Sequence, residues 1–451
     1  MRALIFWGSA IIFAAAAIAA AYRCLLDLRW IKLKFRFQLN AGKILEDVKN
    51  KYLLLPKNMQ IIINISFILL VSRICMYMIS YWGYRIYGGE QIDFFNMFET
   101  TWSNLADTPR YLQIAQEGYL SDGDYYKMIN IVFFPLYPFL IYLAAFFLRN
   151  YFYAGIFVSY AALIAACYYF YKLLLLDYDE DLSVRAVKYF LIYPFSIFLS
   201  AVYSESLFAA LIFIFFYYIR TKKWMYAAAA GFAAGLCRTQ GVLLIIPMAY
   251  EIVRDITVRQ RIHERLHPGK NKRARGSIMK IKKFLKLSYM SILLVPMGFG
   301  LYLMINKFVT GDFFTFYKYQ KEYWMHEFGL FPYALIPHYD QIIEYNGPLQ
   351  IYFNAPQILM FFVAVSSVLF FAKKIKPSYL LYSIAYIFVS YGVVGEAGLL
   401  SGPRYLIALF PMFISAALIT RNKFLDKLLS YFCILFSAIL VIMLPFDRGI
   451  V

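Results

Sequence analysis

Short polar clusters interrupt an otherwise strongly apolar chain, and the first of them centres on an aspartate. Asp107 directly precedes Thr-Pro-Arg-Tyr, and an aspartate followed within two residues by proline is a common start of a helix. The same carboxylate could take a proton from a hydroxyl group as a general base. Asp107 is therefore interpreted as a helix N-cap, a general base, or both.

Two further clusters and an Arg-Tyr pair supply a second acid and two basic groups. Glu205 lies in Tyr-Ser-Glu-Ser between two apolar stretches, where a charge is costly unless it is paired or faces water. Arg238 and Arg404 each stand at the end of an apolar block. A guanidinium group there either binds a phosphate through its planar set of donors or snorkels to lipid headgroups. Together these residues favour a site for an anionic, membrane-embedded substrate such as a lipid phosphate.

Another cluster, Phe-Phe-Pro-Leu-Tyr-Pro, spans residues 133–138 and places two prolines three residues apart. Proline removes helical hydrogen bonds, and the freed backbone groups are tolerated in a membrane where protein or a cavity satisfies them. The cluster is either the edge of a cavity or an interfacial kink with aromatic anchors.

The elements that must hold these residues are membrane helices. Of 451 residues, 62% are hydrophobic and 16% are charged, whereas soluble domains are about half apolar and a quarter charged. The apolar residues fall in blocks of about 17–25 residues, the length of a helix that crosses roughly 30 Å of hydrocarbon. We predict an all-α, polytopic membrane protein with roughly 11–13 transmembrane helices and an outward-facing first loop.

The candidate spans lie at 3–21, 60–84, 131–148, 151–175, 184–202, 204–219, 224–238, 240–253, 287–308, 356–372, 377–394, 404–420 and 425–445. If each were a full crossing, Arg220, Lys222 and Lys223 would break the rule that basic loops stay in the cytoplasm. One segment between 131 and 202 is therefore predicted not to cross fully.

The formal charge of +19 is interpreted as a topology signal, with no nucleic-acid partner expected. Basic residues concentrate in the segments 23–57 and 254–286, which are predicted to be cytoplasmic, whereas 86–130 carries seven acids and is predicted to lie outside. Residues 1–58 are predicted to form a membrane anchor and a basic amphipathic helix, and 59–451 a single transmembrane domain. Histidine and cysteine spacing predicts no metal site.

The clusters, in this order, resemble the PIG-V family of GPI mannosyltransferase 2-like proteins, within the GT-C superfamily of lipid-phosphate-sugar glycosyltransferases. The strongest matches are Phe-Phe-Pro-Leu-Tyr-Pro at 133–138 and Tyr-Ser-Glu-Ser at 203–206, followed by Tyr-Leu-x-Ile-Ala-x-x-Gly-Tyr at 111–119 and Arg-Tyr at 404–405. The family's Trp-Asp pair is Ala106-Asp107 here, and Arg-Thr-Gln-Gly replaces the frequent Arg-Ser-Asn-Gly at 238–241. These departures bear on the sugar and the acceptor.

The resemblance implies a GT-C-like bundle that moves a hexose, with mannose favoured, from a polyprenyl-phosphate sugar to a glycolipid or glycan hydroxyl with inversion. It implies that Asp107 is the general base, that Arg238 and Arg404 hold the donor phosphate, and that Glu205 orients the acceptor or a divalent cation. It implies an active site on the extracytoplasmic side of the membrane. Nothing in the sequence reads as a eukaryotic retention signal, and the charge of +19 with loops at the outer face favours a bacterial plasma membrane, with the endoplasmic reticulum, as for the eukaryotic members, as the alternative. The substrate contacts that it implies are Arg110, Tyr111, Tyr137, Tyr203, Gln240 and Tyr405.

Two other classes of function fit the same sequence. A transporter or lipid flippase would also need many spans, but would show broken helices paired across two halves and ionisable groups at mid-membrane. A structural subunit of a glycan-assembly complex, with a degenerate site, would explain the alanine at position 106.

Overall fold

The computed structural model describes residues 55–87, 92–119, 129–266, 286–324, 326–329, 331, 335–345, 348–395 and 401–443. The predicted N-terminal anchor and basic helix lie outside these residues, apart from positions 55–58. The described chain is helical throughout, with one two-stranded sheet, which confirms the predicted all-α class.

The helices are α1 (Lys57–Tyr87), α2 (Phe94–Ser103), α3 (Thr108–Glu117), α4 (Leu136–Leu148), α5 (Tyr151–Leu174), α6 (Glu180–Leu191), α7 (Glu205–Arg220), α8 (Trp224–Cys237), α9 (Ile245–Leu266), α10 (Leu294–Thr310), α11 (Thr315–Trp324), α12 (Leu335–Tyr345), α13 (Pro348–Phe371), α14 (Pro377–Ser390), α15 (Gly402–Tyr405), α16 (Pro411–Ile419) and α17 (Lys423–Met443). Short 3₁₀ helices cover Ile129–Val132, Ser196–Leu199, Thr239–Leu244, Leu287–Leu293 and Leu406–Ala408. Strands β1 (His326–Phe328) and β2 (Val393–Gly395) pair antiparallel, with His326 opposite Gly395.

Among the described residues, five helices are long and apolar enough to cross a membrane, namely Lys57–Ile86, Tyr151–Leu174, Leu287–Thr310, Asn354–Phe371 and Lys423–Ile442. A sixth candidate is the pair Gly402–Ala408 and Pro411–Ile419, whose two parts are bent by 87°. Three shorter apolar helices, α4, α8 and α14, add to these. The predicted number of roughly 11–13 spans stays a prediction.

Ion pairs show which helix ends lie together. Arg220, the last residue of α7, lies 2.7 Å from Asp177, which follows α5, and Lys376, directly before α14, lies 3.2 Å from the same carboxylate. Arg220 also reaches Glu251 of α9 at 3.4 Å. We call this end of the bundle the Asp177 end.

Two apolar segments predicted as spans are not single long helices. Helix α4 has 13 residues, about 20 Å at 1.5 Å per residue, and cannot cross roughly 30 Å of hydrocarbon alone. The segment 184–202 divides into the end of α6, a break that contains Pro194, and a 3₁₀ helix at Ser196–Leu199. The expectation that one segment between 131 and 202 does not cross fully stays a prediction.

Helices α8 and α10 cross with their backbones in contact. A Cβ atom on Gly298 of α10 would lie 1.9 Å from the carbonyl oxygen of Phe232 in α8, and a Cβ on Gly235 would lie 2.9 Å from the backbone nitrogen of Phe299. Small residues permit such close helix crossings in membranes. The crossing fixes α8, whose last residue precedes Arg238.

Candidate functional site

Asp107 stands at the N-cap position of α3, but its carboxylate makes no capping hydrogen bond. Instead, Nη1 of Arg404 donates to Oδ2 of Asp107 at 2.8 Å. The backbone N–H of Asp107 donates to the hydroxyl of Tyr203 at 3.1 Å. Of the two roles considered for this carboxylate, capping is not observed, and the general-base role stays a prediction.

Three separate breaks in helical structure bring the other charged residues to Asp107. Glu205 is the first residue of α7, Arg238 is the extended residue that ends α8, and Arg404 belongs to the one-turn helix α15. Nη1 of Arg238 lies 2.6 Å from Oε1 of Glu205, and Nε of Arg404 lies 3.3 Å from the same oxygen. We call Asp107, Glu205, Arg238 and Arg404 the ion-pair cluster.

The ion-pair cluster is balanced in charge and largely withdrawn from solvent. The exposed side-chain fractions are 3% for Glu205, 11% for Arg404, 14% for Arg238 and 22% for Asp107. Two carboxylates face two guanidinium groups, so each buried charge has a partner, which offsets the cost of its desolvation. Oε2 of Glu205 is buried and has no hydrogen-bond partner, so this oxygen can accept a hydrogen bond from a bound molecule.

Aromatic rings cover both guanidinium groups. The carbon Cζ of Arg238 lies 5.1 Å from the centre of the Tyr405 ring, and Cζ of Arg404 lies 5.3 Å from that of Tyr203. Phe198 and Phe208 add rings at 5.5 Å from Arg404 and 5.9 Å from Arg238. Such cation–π contacts hold a guanidinium in one orientation without using its N–H donors.

The remaining predicted site residues occupy different surroundings. The hydroxyl of Tyr111 donates to Oγ of Ser204 at 3.1 Å, next to Glu205. The hydroxyl of Tyr137 is fully buried and lies 2.6 Å from Oγ of Ser159, within the packing of α4 on α5. Tyr137 therefore supports the site through its ring contact with Tyr111, at 5.0 Å between centroids.

The last two predicted contacts lie outside the ion-pair cluster. Nη1 of Arg110 donates to Oδ1 of Asn130 at 3.4 Å, which links α3 to the 3₁₀ helix before α4. Gln240 is partly exposed in the 3₁₀ helix that follows Arg238. In the sequence, Arg110 follows Asp107 by three residues and Gln240 follows Arg238 by two.

Sequence reasoning did not identify Phe198 and Phe208 as part of the site. The chain contains 44 phenylalanines, and most aromatic residues in an apolar helix serve packing. No sequence signal separates the two that face guanidinium groups from the rest.

A groove of about 400 Å³ lies between the end of α3 and the start of α4. Its walls are mostly apolar and include Ile114, Pro138, Phe139 and Tyr142, while Glu117 lines it as well. Within the described ranges, no group of three His, Cys, Asp or Glu residues could hold a metal ion.

The fold and the ion-pair cluster define a helical protein with membrane-length helices and a buried carboxylate–arginine site. No family model matches the chain, and no curated protein or solved structure matches it significantly. The resemblance to the PIG-V family therefore rests on the motifs quoted above.

Proposed function

We propose that the protein is a GT-C-type membrane glycosyltransferase that moves a hexose from a polyprenyl-phosphate sugar to an acceptor hydroxyl. The observation that carries the proposal is the ion-pair cluster, in which a general-base candidate lies 2.8 Å from a guanidinium that could bind the donor phosphate. Proton removal and phosphate departure must occur at the same centre, and this arrangement offers a group for each.

In the proposed reaction, the donor phosphate binds Arg238 and Arg404 in place of their contacts with carboxylates. Asp107 takes the proton of the acceptor hydroxyl, whose oxygen then forms a bond to the anomeric carbon. The bond between that carbon and the phosphate oxygen breaks with inversion, and the lipid phosphate leaves with the electron pair. The two guanidinium groups stabilise the charge that develops on the leaving phosphate.

Glu205 and the groove beside α3 complete the proposed substrate site. The free Oε2 of Glu205 would accept a hydrogen bond from a sugar or acceptor hydroxyl. The apolar groove offers about 400 Å³ to the lipid chain of one substrate. The proposed site faces the outer side of a bacterial plasma membrane, within a GT-C-like bundle of roughly 11–13 transmembrane helices.

Sugar transfer by the purified protein tests this proposal. The donors are radiolabelled polyprenyl-phosphate mannose and glucose, and the acceptor is total membrane lipid. Asp107→Asn keeps the backbone bond to Tyr203 and should fold, but we expect turnover to fall by about 10²–10⁴-fold because the base is lost. Asp93→Asn is the matched control, since Asp93 is an exposed aspartate that caps the neighbouring helix α2. Equal turnover in Asp107→Asn and wild type would reject Asp107 as the base.

One observation favours a second candidate, a transporter or flippase of lipid phosphates. Arg404 lies on a helix pair bent by 87°, and broken helices that carry ionisable groups are typical of transporter sites. Liposomes that contain the protein and a fluorescent polyprenyl phosphate distinguish the two. Movement of the lipid between leaflets without any sugar transfer would support the flippase.

A further inference from the structure

A buried, irregular segment connects the residues of the ion-pair cluster. Residues 192–204 follow α6 and precede α7, and they contain only one short 3₁₀ helix, at Ser196–Leu199. All of them except Ile192 are buried. Non-helical backbone is tolerated within a membrane bundle only where protein groups satisfy its N–H and C=O groups. The 192–204 segment therefore depends on side chains from neighbouring helices.

This segment contacts three of the four cluster residues or their immediate neighbours. Tyr203 accepts the backbone N–H of Asp107, and Glu205 follows the segment directly. The hydroxyl of Tyr193 donates at 2.8 Å to the carbonyl of Pro403, the residue before Arg404. A displacement of the 192–204 segment would therefore move Asp107, Glu205 and Arg404 relative to one another.

Helix α1 holds the segment through two side chains four residues apart on one helical face. Nη2 of Arg73 donates to the carbonyl of Leu191 at 3.2 Å, and Nη1 of Arg73 lies 3.4 Å from both the carbonyl and the hydroxyl oxygen of Ser196. The hydroxyl of Tyr77 donates to the carbonyl of Ser200 at 2.9 Å. The Arg73 bonds hold both ends of the break between α6 and the 3₁₀ helix, and the Tyr77 bond holds Ser200, directly after the 3₁₀ helix.

Arg73 is a costly residue for this position. It is 3% exposed near the middle of a membrane-length helix, and in the part of the chain that the structure describes it forms no ion pair with a carboxylate. Its charge faces the carbonyl end of α6 and is stabilised by that helix dipole and by hydrogen bonds alone. Because a buried charge without an ion-pair partner is costly in a membrane-length helix, its presence favours a specific role in holding the backbone that it contacts.

We infer that Arg73 is a positioning residue, whose two-pronged hydrogen bonding to Leu191 and Ser196 holds the 192–204 segment so that Glu205 and Tyr203 meet Asp107 and Arg404. The effect on turnover rests on the proposed function, whereas the effect on the segment does not. The two are therefore measured separately.

Hydrogen–deuterium exchange of the purified full-length protein tests the positioning directly. In Arg73→Gln, we expect amides in 192–204 to exchange at least tenfold faster, while α8 and α10 keep their protection. Arg73→Lys keeps the charge but cannot hold both carbonyl groups with a planar fork, and it should show a smaller increase. Lys57→Gln, which removes an exposed charge at the start of the same helix, is the control. If amides in 192–204 of Arg73→Gln exchange as slowly as in wild type, the inference is overturned. If Arg73→Gln does not fold, the same result in Arg73→Lys overturns it.

Turnover provides the second readout. If wild type transfers sugar, Arg73→Gln should lower kcat per folded molecule at least tenfold, because the base Asp107 and the phosphate-binding Arg404 would no longer hold their relative positions. A residue that only stabilises the fold would reduce the amount of folded protein and leave kcat unchanged, and that result would reject the positioning role. If wild type transfers no sugar from any donor, the proposed function fails, and the exchange experiment still decides the inference.

Discussion

At the scale of single residues, Glu205 is the carboxylate that both arginines share. Its Oε1 lies 2.6 Å from Nη1 of Arg238 and 3.3 Å from Nε of Arg404. Glu205→Gln would leave the two guanidinium groups with only the carboxylate of Asp107. Breaking a buried ion pair by removing one partner costs about 3–5 kcal/mol, so we expect the thermal midpoint to fall clearly.

The same variant probes anion binding. With one positive charge in excess, Glu205→Gln should bind inorganic phosphate between Arg238 and Arg404 and regain part of its stability as the phosphate concentration rises. Wild type, whose cluster is neutral, should respond less. Thermal unfolding of both proteins with phosphate, and with sodium chloride at equal ionic strength, gives the measurement. A phosphate response equal to that in chloride would contradict the assignment of an anion site.

The charged residues of the site were predictable from sequence because charge is rare in apolar stretches. Asp107, Glu205, Arg238 and Arg404 come from separate motifs, and the structure brings them into contact. Their pairing was not predictable, since residues almost 300 positions apart carry no sequence signal of contact. Arg73 could have been identified from sequence by the same reasoning, because a charge within an apolar helix is costly to bury.

At the scale of elements, the crossing of α8 and α10 positions Arg238. Gly298→Ala would place a methyl group against the backbone of Phe232, so the two helices must separate. We expect a stability loss of about 1–3 kcal/mol, as for overpacked cores, and weaker donor binding because the end of α8 shifts. Gly300→Ala on the same helix meets no atom within 4 Å and is the matched control. Equal thermal midpoints for the two variants would contradict the close crossing.

Asp255 of α9 joins three elements near the Asp177 end, and its ionisation should make stability depend on pH. Burial raises the pKa of this carboxyl, but hydrogen bonds from Lys222, Tyr289 and Arg259 lower it more, to about 2. The ionised form therefore adds stability, on the order of 2 kcal/mol, that is complete above about pH 5 and is lost progressively as the pH falls through 2. Thermal midpoints of wild type and Asp255→Asn should differ at pH 6, and the difference should shrink progressively as the pH falls toward 2. A constant difference would contradict the lowered pKa.

Sequence predicted helices better than it predicted their breaks. The predicted span 151–175 matches α5 within a residue, because its apolar run is uninterrupted. The predicted spans 184–202 and 404–420 are each broken in the structure. Apolar content alone does not distinguish a continuous helix from a buried irregular segment, although Pro194 and Pro411 mark both breaks.

At the scale of the whole molecule, the two-stranded sheet was not predicted. Strands β1 and β2 have three residues each, and they pair residues 326–328 with 393–395, which are separated in the chain by the three helices α12, α13 and α14. Three residues are too few to show an alternating pattern. The sheet connects the segment after α11 to the segment after α14. Because α14 begins at the Asp177 end, the sheet lies toward the opposite end of the bundle.

Charge is distributed unequally between the two ends of the bundle. The helix ends near Asp177 carry most of the basic residues of the described loops, namely Lys57, Lys172, Arg220, Lys222, Lys223, Lys373, Lys374, Lys376, Arg421 and Lys423. Loops rich in Lys and Arg remain in the cytoplasm. We therefore expect the Asp177 end to be cytoplasmic and the ion-pair cluster to lie toward the opposite membrane face.

Accessibility of single cysteines in spheroplasts checks this orientation. In a background with the five native cysteines replaced by alanine, Lys318→Cys, on α11, should react with a membrane-impermeant maleimide in intact spheroplasts. Lys373→Cys, between α13 and α14, should react only after permeabilisation. Both lysines are exposed, so a difference reports the side of the membrane rather than burial. The reverse pattern would place the ion-pair cluster toward the cytoplasm. A sugar donor in the outer leaflet could not reach a site there, so the proposed transfer would need a donor that is made and consumed on the inner face.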